Sequence, residues 1–345
     1  MDESFVALIF KDEELVLLDQ RILPTHVEYV HCKTYEDVEF AIRDMVVRGA
    51  PAIGAAAAYG VYFAAKQSDD EQSFLRSLAF LGNARPTAVN LPWAIERMKA
   101  VWEQHKGEGR EALLAALLLE ADEIRAEDIR TNKKMSRIGS VVVPHGATIL
   151  THCNTGALAT AGWGTALGVI KQAHWDGKEI FVYADETRPR LQGARLTAWE
   201  LVEAKIPAKL IADSAAATLI RDGKIDLVIL GGDRVAANGD VANKLGTFSL
   251  SVICKAYGVP FYSVVPVSTI DFTIPDGSHI PIEERDASEV THVGETQVAP
   301  LEIGVYNPAF DVTPHQNITG IITERGIIYP PFATNIERLR RGEAL

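Results

Sequence analysis

The sequence predicts an α/β protein. It would hold a parallel sheet with helices on both faces, joined to a smaller, mainly helical N-terminal domain that carries a short β-sheet. Three observations predict this. From residue 147 onward, short apolar runs alternate with helix-like segments, the texture of βαβ units. Before residue 136, apolar residues recur mostly at helical spacing. The length, 345 residues, suits two domains at ~150 residues each.

The elements follow in order. Three strand-like runs come first, VALIF (6–10), LVLLD (15–19) and HVEYVHC (26–32), with KDEE as the turn between the first two. Thr34 reads as a helix N-cap with Asp37 as its capping-box partner. Val38, Ala41, Ile42, Met45 and Val46 continue that helix on one face. RGAPAIG (48–54) breaks it, and an alanine-rich helix follows. Further helices are expected near 70–82, 91–106 and 109–138. Beyond Pro144, strands are expected at 147–153, 179–184, 208–212, 226–231 and 260–265, with helices near 164–174, 194–204, 214–221 and 244–257. The expected domains are therefore 1–135 and 136–345. No repeat or Pro/Ser-rich linker separates them, so they are expected to pack closely.

Composition excludes several classes. Hydrophobic residues make up 47% and charged residues 23%, which argues against disorder and fibrous repeats. The net charge of −12 makes nucleic acid a poor partner. Three widely spaced cysteines, Cys32, Cys153 and Cys254, do not make a disulfide framework. MDESFVALIFKDEE lacks the basic start of a signal peptide. The apolar stretch from Ala52 to Ala65 is too short to span a bilayer. The expectation is a cytoplasmic protein with no membrane contact.

In open parallel sheets, ligands bind beyond the carboxyl ends of the strands. Three strand ends stand out by that rule. THCNTGALAT (151–160) ends a strand on Cys153, which is either a ligand-facing thiol or a buried structural cysteine. His152 should point to the opposite face, so a His–Cys dyad is not expected. In YADETRPRLQGARLTAWEL (183–201), Arg188, Arg190 and Arg195 surround Gln192 and Gly193. These arginines suit a phosphate or carboxylate, or else pair with Asp185 and Glu186 in a solvated loop. In LGGDRVAANGDVANKLGT (230–247), Asp233 follows a strand and two glycines, as a general acid or a turn cap. Asn238-Gly239-Asp240 reads as a plain turn. Asn243 and Lys244 are expected to open a helix, where a lysine opposes the helix dipole and suggests an anion nearby. Arg48 in RGAPAIG and Arg85 in NARPTAVNLPWA complete the candidates, each read alone as a surface-loop residue. There is no dinucleotide fingerprint, phosphate loop, HExxH, zinc-spaced Cys/His cluster or GxSxG. Chemistry without redox cofactor or metal is expected.

RGAPAIG, NARPTAVNLPWA, THCNTGALAT, DETRPRLQGARLTAWEL and GGDRVAANGDVANKLGT occur in this order in methylthioribose-1-phosphate isomerases. The sequence resembles that family over nearly its whole length. The resemblance implies a Rossmann-like catalytic domain. It also implies conversion of 5-methylthioribose 1-phosphate to 5-methylthioribulose 1-phosphate, a step of methionine salvage. Asp233 would be the proton donor and Cys153 the second catalytic group. Arg48, Gly49, Ala50, Arg85, Gln192, Asn243 and Lys244 would bind the sugar phosphate, without metal or cofactor, in a homodimer. Gly232 stands where the family has alanine. The same superfamily includes ribose-1,5-bisphosphate isomerases and regulatory subunits of a translation-initiation exchange factor. Two alternatives stay open, a 5-deoxyribose-1-phosphate isomerase and a non-catalytic sugar-phosphate sensor. The methylthio group needs an apolar pocket, with the 52–65 segment and Trp93 as candidates.

Overall fold

The computed structural model describes residues 5–85 and 90–345. Residues 86–89 of the NARPTAVNLPWA motif lie outside the described residues. The chain divides into two compact units: Met1–Thr131 with Gly156–Gly164, and Asn132–Thr155 with Thr165–Leu345.

In the first unit, β1 (Leu8–Lys11), β2 (Glu14–Leu18) and β3 (Tyr29–Cys32) form the expected antiparallel sheet. Alternation in β2 buries Leu15 and Leu17 on one face. Helix α1 (Tyr35–Arg43) starts at the expected capping box: Thr34 Oγ1 accepts from Asp37 N–H, and the Asp37 carboxylate accepts from Thr34 N–H. Such a cap stabilises a helix by about 1 kcal/mol. Helix α2 (Ala50–Gln67) is buried without interruption from Ala52 to Ala65. A helix apolar all round needs cover on every side. α1, α3 (Glu71–Gly82) and α4 (Asn90–His105) pack against it. The 52–65 segment is thus part of the core of the first unit. Helix α5 (Arg110–Ser140) carries the chain from the first unit into the second.

The second unit holds a seven-stranded sheet. β4 (Thr148–Thr151), β5 (Phe181–Asp185) and β6 (Ala208–Ile211) build outward in one direction. β7 (Leu227–Leu230) returns to pair with β4 on its other side. Arg234–Ala236 (β8) and Val241–Lys244 (β9) then form a hairpin. β10 (Phe261–Val264) pairs with β7. β11 (Ile270–Asp271) joins β8, and β12 (His292–Val293) with β13 (Thr296–Gln297) makes a small ribbon. β14 (Phe310–Thr313) joins β9, completing a separate four-stranded sheet in the order β11-β8-β9-β14. β15 (Gly320–Thr323) pairs with β10, and β16 (Gly326–Ile328) closes the large sheet as its one antiparallel strand.

The large sheet runs β16-β15-β10-β7-β4-β5-β6. Both of its faces are covered by apolar side chains, Ile149 and Val182 on one and Leu150 and Val228 on the other. Helices α6 (Ala166–Trp175), α7 (Ala198–Glu203), α8 (Ala215–Arg221), α9 (Thr247–Tyr257), α10 (Ser288–Thr291) and α11 (Phe332–Arg340) lie among these strands in the chain. The five expected strands are present; β15, β16 and the four-stranded sheet were not foreseen. No described helix is long and apolar enough to cross a membrane.

Candidate active site

Strand order reverses between β4 and β7, since the chain builds through β5 and β6 on one side and through β10 and β15 on the other. A crevice at such a switch point is the favoured ligand position of an open α/β sheet. Cys153 lies two residues beyond the end of β4, and Asp233 three beyond the end of β7. The two sequence candidates therefore follow adjacent, parallel strands.

The Cys153 turn is held on both sides. Its φ is +64°, in the left-handed region that non-glycine residues avoid. A residue so placed costs about 1–3 kcal/mol and persists only where its surroundings fix it. Cys153 N–H donates to Thr187 Oγ1 at 2.9 Å, and Thr197 Oγ1 donates to the Cys153 carbonyl at 2.6 Å. Thr187 is itself pinned, its N–H donating to Asp213 at 2.7 Å and its hydroxyl to the Asp185 carbonyl at 3.2 Å. Asn154 donates to Glu200 at 3.0 Å, and Glu200 forms a buried ion pair with Lys171 at 3.0 Å. Cys153 is the one partly exposed cysteine, while burial pushes the thiols of Cys32 and Cys254 up to about 12.

His152 does not face Cys153's partners as a dyad would. Its ring is buried, with Nδ1 2.9 Å from Asp185 Oδ2 and Nε2 2.9 Å from the Leu245 carbonyl. His152, Asp185 and Asp213 bring potential metal-ligand atoms within 4.8 Å of one another. Their donor set does not fit a metal: both ring nitrogens are hydrogen-bonded, and the two Asp213 oxygens accept from Thr187 and Arg188 N–H groups. The trio is a hydrogen-bonded brace.

The β8–β9 hairpin gathers the third group. Asp233 N–H donates to the Ala242 carbonyl at 2.8 Å, next to Asn243 and Lys244. Asn238-Gly239-Asp240 is the expected turn, with Asp240 N–H donating to Asn238 Oδ1 at 2.9 Å. Asn243 and Lys244 do not open a helix, contrary to expectation. They end β9, because their backbones pair with Asp311 and Phe310 of β14. α9 begins only at Thr247, after Gly246. An anion does sit at its N-terminus, and it belongs to the protein: the Asp311 carboxylate accepts from Gly246 and Phe248 N–H at 2.7 and 3.0 Å. Burial raises the Asp311 pKa above its usual value despite those donors. Asn243 is buried and donates to Thr247 Oγ1 at 3.0 Å. The Lys244 ammonium donates to the Ala309 carbonyl at 2.9 Å and stands over the Phe310 ring. Asp233 is exposed.

Gln192 begins the π-helical turn Gly193–Thr197 that leads into α7. It is 4% exposed, and its Oε1 has no protein partner. A buried, unpaired acceptor is costly, and a ligand donor would relieve it. Of the arginines around it, Arg188 donates to the Pro189 and Val290 carbonyls, and Arg190 pairs with Glu289 at 2.7 Å. Burial, with Arg190 adding, lowers the Arg195 pKa below its usual value. Pairing of Arg188 or Arg190 with Asp185 or Glu186 is not what the structure shows.

In the first unit, Arg48, Gly49 and Ala50 lead into α2, and Arg48 and Arg85 are half-buried. Gly49 has φ +95°, and a Cβ there would lie 2.3 Å from the Ala159 carbonyl oxygen, so only glycine fits. Ala52 N–H also meets that carbonyl, at 3.4 Å. Trp93 is exposed and lies beneath the Arg97 guanidinium. Sequence reasoning missed Thr187, Thr197, Asp185 and Asp311. The Asp-Glu-Thr run at the end of β5 was the available signal for the first and third of these.

Residues 46–330 match the Initiation factor 2 subunit family. The methylthioribose-1-phosphate isomerase of Caldanaerobacter subterraneus subsp. tengcongensis is 63% identical over 337 residues, covering 96% of this chain and 98% of its own. That of Natranaerobius thermophilus is 55% identical over 95% of this chain and 96% of its own. The crystal structure of the Pyrococcus horikoshii 5-methylthioribose 1-phosphate isomerase superposes with a TM-score of 0.93 at 43% identity, covering 98% of this chain and 96% of that one. A structure described as translation initiation factor eIF-2B, subunit delta, from A. fulgidus follows with a TM-score of 0.90 at 42% identity, covering 98% and 99%.

Proposed function

The chain belongs to the Initiation factor 2 subunit family, and from that premise we propose a site in which Cys153 and Asp233 carry an aldose–ketose isomerisation. The enzyme converts 5-methylthioribose 1-phosphate to 5-methylthioribulose 1-phosphate, a reaction of methionine salvage. The observation that carries the site is the position of both residues beyond the two strands of the switch point.

The substrate is a glycosyl phosphate, so its ring must open while C1 keeps the phosphate. Asp233 protonates the ring oxygen as the C1–O bond breaks. A hydrogen then passes from C2 to C1, and the C2 hydroxyl gives up its proton to become the ketone. In the proton route, a Cys153 thiolate takes the C2 hydrogen as a proton from the opened oxocarbenium, leaving a neutral C1–C2 enol that still carries the phosphate and is reprotonated at C1 as its C2 hydroxyl loses its proton. In the hydride route, the hydrogen moves with its electron pair, and Cys153 orients the substrate or stabilises charge. Asp233 is exposed, so a bound substrate can reach its carboxyl directly.

Arg48, Arg85 and Lys244 hold the phosphate in this reading. Gly49 and Ala50 add the positive end of the 18-residue helix α2. Gln192 accepts from a sugar hydroxyl at its unpaired Oε1, and Asn243 binds a second one. Fixing the reacting carbons in this way removes several kcal/mol, roughly, from the barrier. The active form would be a cytoplasmic homodimer with residues 136–345 as its catalytic domain and no nucleic-acid or membrane partner. It would need neither metal nor cofactor.

A second reading is a non-catalytic regulatory subunit that senses sugar phosphates; its motive is that the A. fulgidus neighbour is described as an initiation-factor subunit. Turnover of 5-methylthioribose 1-phosphate by wild type and Cys153→Ala, without metal or nucleotide, separates the two. Wild-type conversion lost in the variant supports the isomerase site; binding without turnover supports the sensor. Parallel assays on 5-deoxyribose 1-phosphate test the thioether preference, which a pocket can set by about 1–3 kcal/mol.

A further inference from the structure

Three strand ends in the second unit meet at one buried side chain that the reaction does not use. His152 follows β4, Asp185 ends β5, and Leu245 follows β9. The ring lies between them, 2.9 Å from Asp185 Oδ2 on one side and 2.9 Å from the Leu245 carbonyl on the other. The neighbouring chain is shaped to admit it: a Cβ on Gly246 would stand 3.0 Å from His152 Cε1. A side-chain route from the Cys153 turn to the Lys244 strand runs through this imidazole.

The bonding also fixes the protons. A carbonyl oxygen only accepts, so Nε2 carries a hydrogen and donates it to Leu245. Nδ1 then either accepts from a protonated Asp185 or, as part of an imidazolium, donates to its carboxylate. Either way the pair holds one proton and no net charge. The other Asp185 oxygen, Oδ1, is buried and unpartnered, which a neutral acid tolerates better than a carboxylate. The charged groups that act on the pair are Asp213, which acts on both residues, Glu186 beside Asp185, and Asp311 on β14, which interacts with His152.

We propose that His152 is a positioning residue for the isomerisation: braced by Asp185, it donates to the Leu245 carbonyl and thereby sets Asn243 and Lys244 with respect to Cys153. This rests on the site assigned above. His152 touches neither substrate nor reacting atoms in this role. It fixes the spacing between the group that handles the C2 hydrogen and two groups that bind the substrate, Asn243 at a hydroxyl and Lys244 at the phosphate.

The test is steady-state kinetics with 5-methylthioribose 1-phosphate for Asp185→Asn, Asp185→Ala, His152→Gln and Lys244→Ala, and for the double variant His152→Gln/Lys244→Ala. Circular dichroism melting selects the variants that fold. His152→Gln should lower kcat/KM about 30-fold, with kcat falling as well as KM rising. Asp185→Asn can still donate to Nδ1 and keep the Nε2 hydrogen on Leu245, so its loss should be about tenfold smaller than that of Asp185→Ala. The double variant should fall short of the product of its single losses, because His152 acts partly through Lys244. A merely structural histidine predicts multiplicative losses and no rescue by asparagine, and that outcome overturns the proposal. The two aspartate variants decide the matter if His152→Gln does not fold. If Lys244→Ala itself leaves KM and kcat unchanged, the site assignment fails. If Lys244→Ala is impaired while the His152 and Asp185 variants match wild type, this inference alone fails.

Discussion

Beyond β4 the chain is tied down at each step: Cys153 through Thr187 and Thr197, His152 through Asp185 and Leu245, Asn154 through Glu200. Beyond β7, Asp233 stands exposed on a hairpin. The two ends adjoin through paired strands, so the difference is not one of location in the sheet. It reflects what each group does in the proposed reaction. A residue that exchanges a hydrogen with carbon needs its distance and angle set in advance. An acid that meets a ring oxygen needs its pKa raised, and a substrate that displaces water from it can do that. The β4 end is read as setting a distance and an angle, and the β7 end as presenting an exposed acid to the substrate.

The largest expected effects break both ends at once. Cys153→Ala and Asp233→Asn should each lower kcat by about 10³-fold or more, measured as ketose phosphate formed. Loss at Cys153 alone would make Asp233 a turn residue and end the comparison. A smaller effect sharpens it. Thr187→Val removes the acceptor for Cys153 N–H while nearly keeping side-chain volume. It should cost about 1–3 kcal/mol in the barrier, a drop in kcat of roughly 5- to 150-fold with KM little changed. Full activity in that variant would show that the left-handed Cys153 turn holds without its threonine. Smaller again, Lys244→Ala should mainly raise KM, by about tenfold. An unchanged KM removes Lys244 from the phosphate.

The contrast also explains what could be read from the sequence. Strand ends are legible because apolar runs stop, so Cys153 and Asp233 could be placed beyond strands without coordinates. The Thr34 capping box was legible because its two bonds lie within four residues. The continuation of β9 through Asn243 and Lys244 was not legible, because β8 pairs only with Val241 and Ala242, and the last two residues are held by β14, nearly seventy residues on, a partner that no local signal reports. The clamp on Cys153 was hidden for the same reason: Thr187 and Thr197 lie 34 and 44 residues away in sequence. His152 was readable as a histidine beside a cysteine, but not as the neighbour of Asp185 and Leu245. The resemblance supplied the substrate, which no residue pattern here specifies.

The smallest expected effect is on stability, and it confines the shared proton to the β4 end. Burial opposes the His152 charge, but the bond to Asp185 and the charges of Asp185 and Asp213 outweigh it, so its pKa is raised. Burial raises Asp185, with Asp213 and Glu186 adding, against the pull of His152. Between the ordinary aspartate and histidine values of 3.8 and 6.5, folded and unfolded chains both keep one titratable proton on the two residues, so the pair's contribution is fully present. As pH rises past the histidine value the unfolded chain releases its proton while the folded pair keeps it. Wild type should then lose up to about 1.4 kcal/mol per pH unit from this pair, until the folded pair itself releases the proton. In Asp185→Asn the amide donates to Nδ1 without titrating, so its stability should fall less steeply across that range. Urea midpoints measured from about pH 6 to 9 for both proteins give the slopes. Parallel slopes would mean that the folded pair carries no proton beyond what the unfolded chain holds, and Asp185 would then be a carboxylate facing a neutral ring with no hydrogen between them.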